Sequence, residues 1–317
     1  MIKKILILDK NHPFIIYKLK KKGFICDENY DDTTDQINLS TYDGVILRSR
    51  LKIDKEFLEK ATNLKFIARI GSGTENIDKD HVIKKGITLI SSPEGNKDAV
   101  AEHAIGMLLC MMNHIIHSHQ QIITGKWSRE TNRGIEIMGK TIGIIGYGNT
   151  GKAFAKKLSS FDAKIFCYDI LPEVGDIYAK QVNISTIFKK SDIISLHVPY
   201  TKRTKGMINY DFIKKFSKPF YLINTSRGGC LITSHLEKAL KNGKIYGACL
   251  DVLEYENFSS SNIFLNQTFH KSFLYLIHSN KVLFTPHIAG WTKESKFKMD
   301  RRIVEKIIFL NQTFHKT

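Results

Sequence analysis

The 317-residue chain has no apolar run long enough to cross a bilayer, and its cysteines form no close pair. The opening stretch Ile5-Leu6-Ile7-Leu8 stops at Asp9, too short for a membrane span or for the core of a secretion signal. These absences point to a soluble, cytoplasmic chain. The five cysteines (Cys26, Cys110, Cys167, Cys230 and Cys249) are odd in number and widely spaced, which excludes a CxxC redox pair and a zinc clip. Four lie in apolar runs, where a reduced thiol packs as a small core residue, and all five read as structural.

Acidic residues are scarce as well: 31 Asp and Glu stand against 48 Lys and Arg, a formal charge of +17. Such an excess raises nucleic-acid binding, which needs clustered basic side chains. Here the lysines are spread along helix faces, as at Lys18, Lys20, Lys21 and Lys22, with no block of basic and aromatic residues. The excess reads as a compositional bias whose field helps gather a small anion, not as a surface for nucleic acid. His114, His117 and His119 lie close together, but no acidic or thiol ligand is within sequence reach, so no metal site is expected.

What is present is an alternation of short apolar strands and amphipathic helices, the pattern of an α/β protein with parallel sheets. Strands are expected at 3–8, 44–49, 66–71 and 87–91, and helices at 13–22 and 54–61, with Asp54 as a cap. Residues 98–124 read as one long helix, since apolar positions recur at three and four spacing without a proline. Six further strands are expected at 141–146, 164–169, 192–198, 220–226, 247–253 and 282–288, the number in a complete dinucleotide-binding sheet. The helix at 293–309 is left over and is expected to pack on the N-terminal domain. The architecture implied is two domains: a Rossmann domain (98–288) inserted into a flavodoxin-like parallel-sheet substrate domain (1–97 and 289–317). The segment Leu265-Asn266-Gln267-Thr268-Phe269-His270-Lys271 recurs at Leu310 to Lys316. Two copies cannot build a solenoid, and no function follows from them.

Gly146-Tyr147-Gly148-Asn149-Thr150-Gly151 is a GxGxxG motif directly after a buried strand and opening a helix. The first glycine permits the tight turn, the second lets backbone approach a pyrophosphate, and the third lets helix pack on strand. The next strand ends in Asp169, 169 − 151 = 18 residues after the last glycine. A carboxylate there accepts ribose hydroxyls and repels a 2′-phosphate, and Ile170, Leu171 and Pro172 supply no arginine. NAD is therefore expected over NADP.

The late strands end in polar groups: Asn224-Thr225-Ser226-Arg227-Gly228, then Asp251 through Glu254 and Glu256, then Thr285-Pro286-His287-Ile288-Ala289-Gly290. An arginine, a carboxylate and a histidine at adjacent strand ends suit hydride transfer at the C2 of a small acid. The arginine would hold the substrate carboxylate, the histidine would exchange the hydroxyl proton, and the carboxylate would orient the histidine.

On these motifs the chain resembles the D-isomer-specific 2-hydroxyacid dehydrogenases, most of all their phosphoglycerate dehydrogenase branch, from Arg48 to the final helix. The resemblance implies Arg227 as the substrate-binding arginine, Glu256 as the partner carboxylate, with Glu254 a nearby competitor, and His287 as the acid/base. It implies Ser72 and Gly73 as donors to the substrate carboxylate, and Asn96 and Val100 at the nicotinamide wall. His197, Val198, Pro199, Thr204, Thr225, Ser226, Asp251 and Gly290 match cofactor-contacting positions. Arg48-Ser49-Arg50 matches a substrate-binding position, where two arginines could grip a phosphate. Asn257 stands where the family usually has proline, and Trp291 where smaller residues are common. The implied reaction is oxidation of 3-phosphoglycerate at the opening of serine biosynthesis, without a serine-sensing domain, in a homodimer or homotetramer. The alternatives are a reductase of glyoxylate, hydroxypyruvate or another unphosphorylated 2-keto acid, and a non-catalytic NAD-sensing scaffold.

Overall fold

The computed structural model describes residues 2–256 and 270–313 and divides into two compact units. Asn257 and residues 265–269 and 314–317, which carry one sequence departure and much of the LNQTFHK repeat, lie outside the described residues.

The first unit comprises residues 2–96 and 292–313 among those described. Its elements are β1 (Lys4–Ile7), α1 (Phe14–Lys21), β2 (Ile25–Glu28), β3 (Gly44–Leu47), α2 (Lys55–Glu59), β4 (Phe66–Arg69), α3 (Lys79–Lys84), β5 (Thr88–Ser91) and the last helix, α11 (Lys293–Thr313). The strands form one parallel sheet in the order β2-β1-β3-β4-β5, the doubly wound flavodoxin-like order. Edge strand β2 was not expected from sequence, because Asp27 and Glu28 break its apolar pattern. Asp54 caps α2 by accepting the Phe57 N–H at 3.1 Å. Gly44 has a steric reason: a Cβ there would sit 1.9 Å from the Phe66 ring. One face of the sheet is covered by α1 and α11, with Met299, Ile303, Val304 and Ile307 buried against Ile5, Ile7, Phe24 and Ile46.

The second unit runs from Lys97 to Glu256 and from 270 to Trp291, three residues beyond the expected end at 288. It contains α4 (Lys97–Met112), α5 (Ile115–Ile123), β6 (Thr141–Ile145), α6 (Asn149–Leu158), β7 (Lys164–Tyr168), β8 (Lys180–Gln181), α7 (Ile184–Lys190), β9 (Ile193–Leu196), α8 (Tyr210–Lys214), β10 (Phe220–Asn224), α9 (Thr233–Lys241), β11 (Ile245–Leu250), α10 (Lys271–Ile277) and β12 (Val282–Phe284). All strands are parallel, in the order β12-β11-β10-β9-β6-β7-β8. The sheet therefore has seven strands where six were expected. The extra one, β8, is a two-residue edge strand with no apolar signal. The strand order reverses between β6 and β9, and at such a switch point open α/β sheets bind their ligands.

The single helix expected over 98–124 is two helices. The chain breaks at Asn113 and His114, where His114 takes a left-handed φ of 52°, and the axes bend by 59°. At the break the Met112 carbonyl accepts the Ile135 N–H at 2.9 Å, and Gly134 lies so close to Asn113 that a Cβ would come within 2.8 Å of its Oδ1. The apolar periodicity carries on through the break, so spacing alone does not reveal it. No residue of α5 is buried, whereas α4 buries seven side chains in the core. No single helix among the described residues is long and apolar enough to cross a membrane.

Ile303 is fully buried between α11 and the first sheet. Its truncation to alanine is expected to destabilise the protein by about 2–5 kcal/mol, read as a lowered urea midpoint.

Candidate active site

The cofactor loop is built by close contacts that only glycine allows. Gly146 has a φ of +91°, and a Cβ on it would lie 2.6 Å from the His197 carbonyl oxygen. A Cβ on Gly151 would lie 2.3 Å from the Gly146 carbonyl oxygen, so this glycine lets α6 start against the turn. Gly148 differs: its φ is not left-handed, and nothing lies within 4 Å of a Cβ built there. No neighbouring atom requires glycine at 148, and the open space beside the N-terminus of α6 suits the approach of an anion such as a pyrophosphate. The Asp169 carboxylate accepts the Tyr147 N–H at 2.7 Å and the Leu171 N–H at 3.0 Å. Each oxygen keeps a further lone pair for a ribose hydroxyl. Thr225, at the C-terminal end of β10, holds a buried Oγ1 with no hydrogen-bond partner, another polar atom suited to a bound cofactor.

At the neighbouring strand end, His197 bonds to Ser195 Oγ through Nε2 at 2.9 Å and to Thr150 Oγ1 through Nδ1 at 3.2 Å. It thereby ties β9 to the first turn of α6. Burial pushes its pKa down to about 3, so the ring is neutral. Thr204 Oγ1 donates to the Pro199 carbonyl at 2.6 Å and shapes the loop that follows. Ser195 went unnoticed in the sequence, although a serine two residues before a histidine on an aliphatic strand shares its face. Val100 is buried on α4.

Asn224 shapes the loop bearing Arg227. Its Oδ1 accepts the Ser226 N–H at 3.1 Å and hydroxyl at 2.8 Å, and its Nδ2 donates to the Arg227 carbonyl at 3.1 Å. A Cβ on Gly228 would lie 1.8 Å from the Leu253 carbonyl oxygen, so this loop and the one after β11 touch backbone to backbone. Glu256, not Glu254, meets His287 and pairs with its Nδ1; Glu254 instead accepts the Thr233 N–H at 2.7 Å. With Nδ1 engaged, Nε2 is the nitrogen placed to exchange a proton.

His287 has a φ of 54°, a left-handed conformation that strains a residue with a Cβ by roughly 1–2 kcal/mol. Asp251 makes most of the hydrogen bonds that hold it there, with the Thr285 carbonyl sharing the His287 N–H at 3.0 Å. The carbonyl of Asp251 accepts the His287 N–H at 2.8 Å, and its carboxylate accepts the N–H groups of Ile288 at 2.8 Å and Ala289 at 2.9 Å. Asp251, expected as a cofactor contact, anchors the histidine turn.

In the first unit, Ser72 Oγ donates to Asn96 Oδ1 at 2.9 Å, and the N–H groups of Ser72 and Gly73 make no hydrogen bond among the described residues. Both follow β4 and are suited to receive an anion. The arginine pair does not behave as expected. Arg50 donates to the carbonyls of Leu8 at 2.7 Å and Asp32 at 2.8 Å, and its Nε lies 3.7 Å from Asp9. Its fork is committed to binding its own chain. Ser49 between them is exposed.

This architecture is that of an NAD-dependent dehydrogenase. Residues 105–289, more than half of the chain, match the family model described as D-isomer specific 2-hydroxyacid dehydrogenase, NAD binding domain. The chain is 36% identical to the hydroxypyruvate reductase of Thermotoga maritima, over 84% of its own length and 83% of that protein. It is 31% identical to the D-3-phosphoglycerate dehydrogenase of Bacillus subtilis over 96% of its length, but spans only 56% of that longer protein. Among solved structures it is similar to the D-lactate dehydrogenase of Aquifex aeolicus complexed with NAD and lactic acid, with a TM-score of 0.83 and 27% identity, covering 98% of this chain and 96% of the other. The chain belongs to the D-isomer-specific 2-hydroxyacid dehydrogenase family and is an NAD-dependent enzyme of that class.

Two glycine substitutions separate binding from folding. Gly148→Ala is expected to leave thermal stability unchanged while weakening NAD binding by about tenfold, roughly 1.4 kcal/mol, in a fluorescence titration. Gly151→Ala is expected to lower stability and binding together, because its Cβ collides with the turn.

His197 gives a pH prediction. The unfolded ring takes its proton near the ordinary 6.5, the folded ring only near 3, so the unfolded state binds more protons between these values. The stability it contributes is therefore present above about 6.5 and is lost as the pH falls through that window, by about 1.4 kcal/mol per pH unit for one proton. In urea titrations from neutral to acid pH, His197→Asn is expected to reduce the slope of stability against pH by that one-proton share.

Proposed function

We propose that the enzyme oxidises 3-phosphoglycerate at C2 to 3-phosphohydroxypyruvate, the first step of serine biosynthesis. The observation that carries the chemistry is the pairing of His287 with Glu256 on a turn anchored by Asp251. In this reading the Arg227 guanidinium holds the substrate carboxylate and the C2 oxygen through charge-assisted bonds. His287 Nε2 takes the hydroxyl proton as the C2–H bond breaks and its hydride leaves. Glu256 at Nδ1 keeps the ring oriented and stabilises the imidazolium that forms. NAD, when bound, supplies the hydride acceptor. In the opposite direction the imidazolium returns its proton to the carbonyl oxygen.

The phosphate assignment rests on Arg48 at the end of β3, supported by the likeness to phosphoglycerate dehydrogenase across nearly the whole chain. A second reading, reduction of hydroxypyruvate, glyoxylate or another unphosphorylated 2-keto acid, is favoured by the commitment of Arg50 to its own backbone and by the likeness to hydroxypyruvate reductase. A cytoplasmic homodimer or homotetramer belongs to the same proposal.

NADH formation by the purified protein with 3-phosphoglycerate, glycerate, lactate and 2-hydroxyglutarate, using NAD and then NADP, separates the readings. Preference for 3-phosphoglycerate with NAD is expected, and Arg48→Gln is expected to raise its KM by about tenfold or more while sparing glycerate, as loss of one charge-assisted contact does. Preference for an unphosphorylated acid would transfer the assignment to the second reading. His287→Asn is expected to lower kcat by about 10²–10⁴ with NAD affinity unchanged.

A further inference from the structure

Beneath the histidine turn, Asp251 and Thr285 join a polar chain with His103, a residue that none of the sequence motifs marks. Thr285, two residues before His287, donates its hydroxyl proton to Asp251 Oδ1 at 2.6 Å. That carboxylate oxygen outcompetes the Met107 thioether at 3.7 Å as the acceptor. His103 Nε2, on α4, lies 2.9 Å from the same Thr285 oxygen and 3.6 Å from Asp251 Oδ1. A hydroxyl has one proton, and that of Thr285 is committed to the carboxylate, so the bond from His103 has one possible direction. Nε2 must carry a hydrogen and donate it to Thr285.

The hydrogen bonds then run one way, from His103 to Thr285 to Asp251, and Asp251 in turn receives the backbone N–H groups of 287, 288 and 289. Asp251 is 2% exposed, and its rotamer decides whether both its oxygens reach those groups. A left-handed backbone strains a residue with a Cβ, so the turn depends on that carboxylate to hold it.

We propose that His103 is a positioning residue for proton transfer: as a donor from α4 it fixes Asp251 through Thr285 and so holds the His287 imidazole in register. This rests on the reading of His287 as the acid/base. His103 touches neither reacting atom; its effect passes through the turn.

The test compares His103→Leu, which removes the donor, with His103→Gln, which keeps an N–H donor on a polar side chain, using the full-length protein. His103→Leu is expected to lower kcat by about tenfold, the order that a misplacement of catalytic groups carries, with KM and NAD affinity changed by less than about twofold. The pH at which its kcat breaks is expected to move, because the His287–Glu256 pair is no longer held in one geometry. His103→Gln is expected to restore kcat to within about twofold of the parent, the level set by a retained donor. Wild-type kcat and pH profile in His103→Leu, or equal impairment of both variants, would overturn the proposal while leaving the role of His287 intact. Wild-type turnover in His287→Asn would remove the acid/base reading and this one with it.

Discussion

Three consecutive backbone N–H groups, those of His287, Ile288 and Ala289, end on a single residue, Asp251. The chemistry assigned to the second unit depends on this arrangement, and the arrangement depends on the sheet. Strands β11 and β12 are paired in parallel register, Leu250 opposite Phe284, so Asp251 and Thr285 leave the sheet side by side. The strain of a left-handed histidine is offset there by three hydrogen bonds, two of them to a carboxylate. In return the imidazole meets Glu256, which leaves the same strand end through the loop following β11. Parallel strands thus deliver a carboxylate and a histidine to one edge from positions more than thirty residues apart in the chain.

The same edge is compressed by glycine. At Gly146, Gly151 and Gly228 a Cβ would come within 2.6 Å of a carbonyl oxygen of a neighbouring backbone segment. Gly148 alone in the cofactor motif faces open space. The contrast assigns distinct work to residues of one motif: two glycines build the loop, and one keeps it clear. His197 belongs to the building group, since its neutral ring ties the end of β9 to the start of α6.

Much of this was legible in the sequence because it is local. The strand, turn and helix around GxGxxG, the acid ending the next strand and the polar ends of β10, β11 and β12 all follow from short spacings. The misses share a cause: they depend on contacts far apart in the chain. Nothing local marks the break at His114, because it is coupled to Gly134 and Ile135. Edge strands β2 and β8 carry charged or polar residues and lack the periodicity that reveals a buried strand. Arg50 looked like a partner for Arg48, but its donors are taken by Leu8 and Asp32, over forty and eighteen residues away along the chain. The choice of Glu256 over Glu254 is different: the register of Asp251 favours Glu256, and Glu256 is the carboxylate that meets His287.

The central claim is that His287 carries the proton of the reaction, and the pH dependence of kcat/KM in the two directions tests it most directly. Oxidation of the hydroxy acid needs the neutral ring, and reduction of the keto acid needs the imidazolium. Oxidation should therefore rise with pH and reduction should fall with it, and both dependences should vanish in His287→Asn. Limbs that run the same way, or that survive the substitution, would show that another group moves the proton.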